Sequence, residues 1–338
     1  MDVKIGLIGK GNVGSCFLEL LKKKENYLHK EYNLRIIVIA IYEYDGALIN
    51  EKGLDLDKII SLKERFREHK DWKDNIKPID SMQKINLDLC IDTTPTNPDT
   101  GKPALNHIID ALNNHIDVIS SSKGPFYLKY KEIHELAKKT KTYIKYEATV
   151  ASCVPILSIK DSLNGNEITS IKAILNGTSN YILSRMTSEG VAFSVALKEA
   201  QELGYAEADP TLDIEGYDAA GKLVILANEL LNWSKTISDV KIKGISKITP
   251  HTIELAKLEG FTIKHLAIAE KDILFVEPRL IEKDSPLNIG GTLNVIKLQT
   301  KYAGPIIIMG RGAGGYEAAS AILNDLISIQ KLRKRSIE

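Results

Sequence analysis

The feature that most constrains the fold is a glycine-rich turn close to the N-terminus. Val3–Ile8 is a short apolar run, Gly9, Gly11 and Gly14 follow as G-x-G-x-x-G, and Asn12–Lys24 carries Val13, Phe17, Leu20 and Leu21 on one helical face. Strand, tight turn and helix in that order are the context in which this glycine spacing binds a dinucleotide. Gly9 permits the turn, Gly11 lets backbone approach a pyrophosphate, and Gly14 permits close helix–strand packing. Asn12 and Val13 open the helix, whose unpaired N–H groups and partial positive charge suit phosphate. By itself the pattern also fits a turn that binds nothing, so the rest of the chain has to decide.

Further strand-like runs follow at Arg35–Ile41, Leu87–Asp92, Ile116–Ser120 and Tyr143–Tyr146, with helical stretches such as Pro103–Asn113 and Tyr130–Lys138 between them. This alternation predicts an α/β domain with a mostly parallel, doubly wound Rossmann sheet covered on both faces. Glu51–Asn75 is charge-rich and reads as a surface helix plus loop. After Pro155 the character changes: Ile168–Leu175 reads as a strand, and Asn180–Thr187, Ser194–Glu202 and Asp218–Leu231 as helices. A second, α+β domain is expected. A glycine-rich turn, Met309–Gly315, precedes a final helix, Ala318–Leu332, that can return to the first domain. The expected division is 1–135, completed by 301–338, and 136–300.

Charge excludes some partners. Lysine and arginine number 45 against 44 aspartates and glutamates, so no broad field favours nucleic acid or an anionic membrane. No apolar run approaches the roughly 18 residues of a membrane span, and no signal-peptide pattern precedes the first strand. Cys16, Cys90 and Cys153 lie far apart with no zinc-like spacing, which fits a reducing cytoplasm. Small molecules and copies of the chain itself remain as expected partners.

Candidate binding groups fall at strand ends. Glu43 closes the second strand, where a carboxylate can accept from both ribose hydroxyls and repel a 2′-phosphate; no arginine follows nearby in sequence, so NAD is favoured over NADP. Thr93, Thr94, Ser121 and Lys123 lie at the ends of later strands, the edge that faces the ligand crevice in an open α/β sheet. The most informative stretch is Leu203–Leu226, LGYAEADPTLDIEGYDAAGKLVIL. It concentrates Glu207, Asp209, Asp213, Glu215 and Asp218 ahead of Lys222, with Asp218 and Lys222 four apart on one helix face. On an exposed helix such a pair contributes little. Here Ala219, Ala220, Leu223, Val224, Ile225 and Leu226 wrap the helix, and one acid–base pair on a mostly buried helix points to a site. NGTSN at Asn176–Asn180 reads as a helix start that Thr178 or Ser179 can cap. EATVASCVP at Glu147–Pro155 reads either as a carbonyl-lined cation site or as a strand exit.

Taken together, GLIGKGNVG at Gly6–Gly14, SSSKGP at Ser120–Pro125, EATVASCVP, NGTSNYIL at Asn176–Leu183, the long LGYAEADPTLDIEGYDAAGKL run and GRGAGG at Gly310–Gly315 resemble homoserine dehydrogenase over nearly the whole chain. The resemblance implies a form without a fused kinase or regulatory domain, and a homodimer built through the second domain's sheet. It implies interconversion of L-homoserine and L-aspartate 4-semialdehyde with NAD or NADP. Substrate binding falls to Glu207 and Asp218, with Gly177, Thr178, Tyr205 and Asp213 beside them, and acid–base roles to Lys123 and Lys222. Gly312 is placed near the cofactor. A monovalent cation, Na⁺, falls to Glu147 and the carbonyls of Val150, Ser152 and Val154. Cys153 departs from the small residue usual in that loop, Ala318 stands where threonine is common, and many relatives prefer NADP.

The expected chemistry is hydride transfer with a lysine ammonium stabilising the alkoxide and exchanging its proton, Asp218 positioning Lys222. Lys123 is the rival donor. Two other readings stay open: another two-domain amino-acid or keto-acid dehydrogenase, and an NAD-binding sensor without catalysis.

Overall fold

The structure is a computed structural model and describes Met1–Ile337, with side chains to Arg335. The chain divides into two compact units, 1–149 with the C-terminal segment from Gly314, and 150–313.

The first unit is built on a seven-stranded sheet. Its strands are β1 (Asp2–Ile8), β2 (Arg35–Glu43), β3 (Gly46–Ile49), β4 (Trp72–Asp74), β5 (Leu89–Asp92), β6 (Asp117–Ser120) and β7 (Ile144–Lys145), in the order β4-β3-β2-β1-β5-β6-β7. β2, β1, β5, β6 and β7 run parallel, and β3 and β4 add an antiparallel margin. β5 and β6 are buried along their whole length, as strands covered on both faces must be. The first helix runs Asn12–Tyr32, beyond the expected Lys24. Its last turns are charged and show little apolar periodicity, but Leu28 is buried there, and left-handed Asn33 ends the helix by donating its N–H to Leu28 and His29 carbonyls.

The C-terminal helix, Gly315–Ile337, belongs to this unit, as expected. Its Ala319, Ile322 and Leu326 join Phe17, Leu18 and Leu21 of the first helix in one apolar core with β1 and β5. Gly315 sits so close to the first helix that a Cβ would lie 2.6 Å from Cys16 Sγ. Asp117 at the start of β6 takes the Arg333 guanidinium on both oxygens. The charge-rich stretch yields the helix Leu56–Leu62, a 3-10 segment and β4. Its strand was missed because Trp72–Asp74 is too short to show a period.

The second unit holds a six-stranded sheet of β8 (Ile168–Ile174), β9 (Val240–Ile242), β10 (Phe261–Glu270), β11 (Ile273–Glu282), β12 (Leu293–Thr300) and β13 (Pro305–Arg311), ordered β13-β12-β8-β10-β11-β9. It is antiparallel except for β9 beside β11. Lys271 and Asp272, both at positive φ, form the two-residue turn between β10 and β11 that right-twisted hairpins favour. Helices Gly177–Glu189, Phe193–Glu202, Tyr217–Leu230 and Pro250–Leu258 complete the unit.

Two expectations need correction. The cuts at 135/136 and 300/301 fall inside units: β7 extends the first sheet, and β13 pairs with β12 along its length. Met309–Arg311 is therefore the end of a strand, and only Gly312–Gly314 turns.

Candidate active site

In the first unit the glycine turn is built from backbone. Gly9 has φ +91° and donates its N–H to the Tyr42 carbonyl at 2.8 Å. A Cβ on Gly14 would lie 2.1 Å from the Gly9 oxygen, so no side chain fits, whereas one on Gly11 would meet nothing within 4 Å. The helix beginning at Asn12 and Val13 has no side-chain cap at Gly11 and no acid in its first turn. Unpaired N–H groups at a helix start, with an open approach over Gly11, suit a pyrophosphate.

The Glu43 carboxylate accepts the backbone N–H of Lys10, inside the turn. The sequence shows no arginine close behind Glu43, yet the fold supplies one: Arg67 grips Asp45 with Nε at 2.7 Å and Nη2 at 3.1 Å. The guanidinium lowers the Asp45 pKa. Lys10 lies over the Phe66 ring, 4.6 Å from its centroid, and burial lowers its pKa. Sequence separation hid this cluster.

At the strand ends, the hydroxyls turn inward. Thr93 donates to the Gly9 carbonyl at 2.6 Å and Thr94 to Asp92 at 2.8 Å. Each donates to the turn or strand end and keeps its oxygen as an acceptor. Ser121 donates its N–H to the Asp92 carbonyl. Lys123 precedes the helix Gly124–Leu128 and donates its N–H to Thr96 Oγ1 at 3.1 Å.

In the second unit, side chains converge around the start of helix Tyr217–Leu230. Lys222 is buried, with Nζ donating to Asp218 at 2.7 Å and to the Leu175 carbonyl at 2.8 Å. Asn176 is the residue that sequence reasoning missed. Its Oδ1 accepts the Ser179 N–H, making it the cap of helix Gly177–Glu189 that was assigned to Thr178 or Ser179. Its Nδ2 donates to Asp213 at 2.6 Å and Asp218 at 3.0 Å. Burial, and then the Asp218 charge, raise the Asp213 pKa. Asn preceding Gly-Thr at a helix start was the available signal.

Two carboxylates share one amide wedge, and Asp218 also takes the Lys222 ammonium, an arrangement that concentrates negative charge where a cationic group could be received. Thr178 donates its hydroxyl to the Tyr205 carbonyl at 2.7 Å, and Tyr205 packs against Tyr181 with centroids 5.0 Å apart. Gly177 is held against Thr292, whose oxygen would be 2.8 Å from an added Cβ. Glu207 stands exposed. Gly312 belongs to this unit, where a Cβ would overlap the Asn294 side chain.

The cation candidates divide by unit. Glu147 is buried in the first unit, in the 3-10 turn Glu147–Thr149, and its N–H donates to Asp325 at 2.9 Å. In the second, Ala151 and Ser152 take consecutive left-handed conformations, φ 53° and 47°. The Val154 carbonyl already accepts the Ile156 N–H at 2.7 Å, and exposed Cys153 donates its thiol to the Arg311 carbonyl at 3.6 Å. Among the described residues no group of three or more His, Cys, Asp and Glu is placed to hold a metal ion. Of the ligands that the resemblance implies, the Glu147 carboxylate lies in the first unit and the three carbonyls in the second. No helix among the described residues is long and apolar enough to cross a membrane.

The chain matches the family profile described as homoserine dehydrogenase over residues 155–327 and that described as its NAD binding domain over residues 9–147. It is 46% identical to a homoserine dehydrogenase of Methanocaldococcus jannaschii, with 99% of this chain and 100% of that protein covered. An NAD(+)-dependent homoserine dehydrogenase of Pseudomonas canavaninivorans is 33% identical, with 100% and 99% covered. Among solved structures, a homoserine dehydrogenase from Thiobacillus denitrificans superposes with a TM-score of 0.87 at 30% identity, covering 99% of this chain and 74% of that one. A hyperthermophilic archaeal homoserine dehydrogenase in complex with NADPH gives 0.84 at 27%, covering 98% of each. A nucleotide turn on one unit, an acid–lysine cluster on the other and relatives matched from end to end agree: the chain belongs to the homoserine dehydrogenase family, NAD(P)-dependent oxidoreductases that interconvert L-homoserine and L-aspartate 4-semialdehyde.

Proposed function

We propose that Lys222 is the acid–base group of this oxidoreductase and that Asp213 and Asp218 receive the substrate's α-ammonium. The observation that carries this reading is the burial of Lys222 between Asp218 and the Leu175 carbonyl. An ammonium with two acceptors keeps one donor for a substrate oxygen, and a preorganised donor stabilises an alkoxide without reorganising. Asn176 keeps the two carboxylates apart and oriented. Gly177, Thr178, Tyr205 and Glu207 complete the proposed substrate residues. When bound, NAD(P) supplies the hydride acceptor or donor for the alcohol–aldehyde carbon.

On the nucleotide unit, Gly9, Gly11, Asn12, Val13 and Gly14 are proposed to cradle the pyrophosphate and Glu43 the adenosine ribose, with Thr93, Thr94, Ser121 and Lys123 along the strand ends. The Lys10 N–H fixes the Glu43 carboxylate, and Asp45 occupies Arg67, so a 2′-phosphate would meet repulsion first. NAD is the proposed preference, and the NAD(+)-dependent Pseudomonas relative supports it. In the second unit, the Val150, Ser152 and Val154 carbonyls are the proposed ligands of a Na⁺ ion.

The outer strand β13 exposes Ile307 and Met309 along an edge that no described strand pairs. Long apolar edges invite pairing, and a second copy of the chain is the proposed cover. The cysteines, unpaired among the described residues, support a cytoplasmic setting.

The test is kinetic. Lys222→Ala should lower kcat by about 10²–10⁴, the usual cost of removing a general acid, with little change in KM for L-homoserine. Retained kcat in a folded Lys222→Ala protein, with loss in Lys123→Ala, would pass the proton to Lys123.

A further inference from the structure

Asp92 closes β5 and has no solvent exposure. Its Oδ1 accepts the Thr94 N–H at 3.1 Å, the Thr94 hydroxyl at 2.8 Å and the Ser122 hydroxyl at 3.0 Å. Its Oδ2 lies 2.6 Å from Nδ1 of His107, on the helix Ala104–Asn113. A buried carboxyl is tolerated when its acceptor sites are used, and here all the partners are polar groups of this unit.

The groups that Asp92 joins matter more than their number. Thr94 belongs to the exit of β5 and Ser122 to the exit of β6, so one side chain sets the spacing of two loops at the ligand edge of the sheet. Ser122 shares its one hydroxyl proton between Asp92 and the Thr94 carbonyl, so both contacts run from the β6 exit to β5 and its exit. The next residue is Lys123, whose N–H is held by Thr96, again in the β5 exit. The backbone at Ser122 and Lys123 is thus held by one loop, and that loop is held by Asp92. His107 is the partner that comes from outside the two loops. The short contact ties the plane of the carboxyl group to a helix.

We infer that Asp92 and His107 form a positioning pair for hydride transfer, acting through the backbone of Ser122 and Lys123. The inference rests on the role of Lys123 in the reaction, as cofactor ligand or proton donor. A lost His107 contact leaves Oδ2 without its partner and loosens the carboxylate plane in which Oδ1 meets the two strand exits. A misplacement of about 1 Å at a reacting group can cost on the order of 10²-fold in rate.

The experiment compares His107→Leu, His107→Asn and Asp92→Asn in kcat, KM for L-homoserine, dissociation constant for NAD and Tm. His107→Leu should lower kcat by about 10²-fold while KM for L-homoserine stays within about threefold. His107→Asn, whose amide can donate from near the Nδ1 position, should recover most of the loss. A purely structural brace would lower Tm and leave kcat of the folded fraction unchanged, and that result overturns the inference. If Asp92→Asn does not fold, the two His107 variants still decide. Adding Lys123→Ala separates the two readings: the His107→Leu loss should shrink in that background, because both changes remove one function. A loss that persists undiminished there overturns positioning through Lys123. A silent Lys123→Ala overturns the role of Lys123 itself.

Discussion

In the first unit the groups prepared for a ligand are backbone, and in the second they are side chains. Gly9, Gly11 and Gly14 make a turn defined by the absence of side-chain atoms; Asn176, Asp213, Asp218 and Lys222 present an amide, two carboxylates and an ammonium held by hydrogen bonds of 2.6–3.0 Å. The difference predicts opposite sensitivities. A site made of backbone is broken by adding atoms, and a site made of side chains is broken by removing them.

The largest effect expected from that contrast is at Gly14. Gly14→Ala would drive a methyl to 2.1 Å from the Gly9 oxygen, so the turn must open. NAD binding should weaken by at least about 10²-fold, equivalent to roughly 2.7 kcal/mol, with a lower Tm. Gly11→Ala has room in the protein and should leave Tm unchanged while weakening NAD binding about tenfold, because its methyl would stand where the pyrophosphate approaches. Titration of nicotinamide cofactor into both variants checks the pair. Equal affinity of Gly11→Ala and the parent would break the comparison.

Removal is the corresponding test in the second unit. Asn176→Ala deletes a helix cap and the amide between two carboxylates, with an expected stability loss of about 1–3 kcal/mol from the cap and the lost donors. KM for L-homoserine should rise about tenfold, since Asp213 and Asp218 lose their spacing. An unchanged KM with a lowered Tm would reduce Asn176 to a cap.

A smaller change sharpens the contrast at its exception, the one carboxylate inside the backbone site. Glu43→Gln keeps the acceptor for the Lys10 N–H and removes the charge. The ratio of kcat/KM for NAD to that for NADP should fall by about tenfold, or roughly 1.4 kcal/mol. An unmoved ratio would show that Glu43 does not read the ribose.

Effects on stability rather than on either reaction partner come from two buried titratable groups, and they have opposite signs in the two units. In the first, burial and then Glu147 push Asp325 up to about 8. The folded chain therefore binds this proton more tightly than the unfolded chain, whose carboxyl titrates near about 3.9. Its contribution is full at acid pH and is lost as pH rises from about 4 to about 8. Asp325→Asn should gain Tm over the parent by several degrees more at pH 8.5 than at pH 5.5. In the second unit, burial pushes Lys264 down to about 8 among the neutral oxygens of Asn180, Ser184 and Ile289. Stability should rise between about pH 8 and about 10.4, as the unfolded chain still binds a proton that the folded chain has released. Lys264→Met should flatten that slope. Melting curves across pH check both signs.

The same division decides what could be read in advance. The glycine turn was legible because three glycines within one strand–turn–helix define it, and the Asp218–Lys222 pair because one helix turn separates them. Helix ends, strand margins and unit boundaries were less so: β4 is too short to show a period, and the β10–β11 turn uses Lys271 and Asp272, where Asn or Gly is the usual signal.

Sequence by itself determined the fold class, the cofactor turn and the family, since each rests on short spacings or on motifs that stay contiguous along the chain. Only tertiary structure decided that Arg67 lies beside Asp45, that Asn176 separates Asp213 from Asp218, and that Asp92 and His107 brace the strand exit before Lys123. Each of these depends on side chains brought together by sheet order and helix packing. Hydrogen bonds act over about 3 Å, and distance along a chain says little about which of its residues will meet at that range.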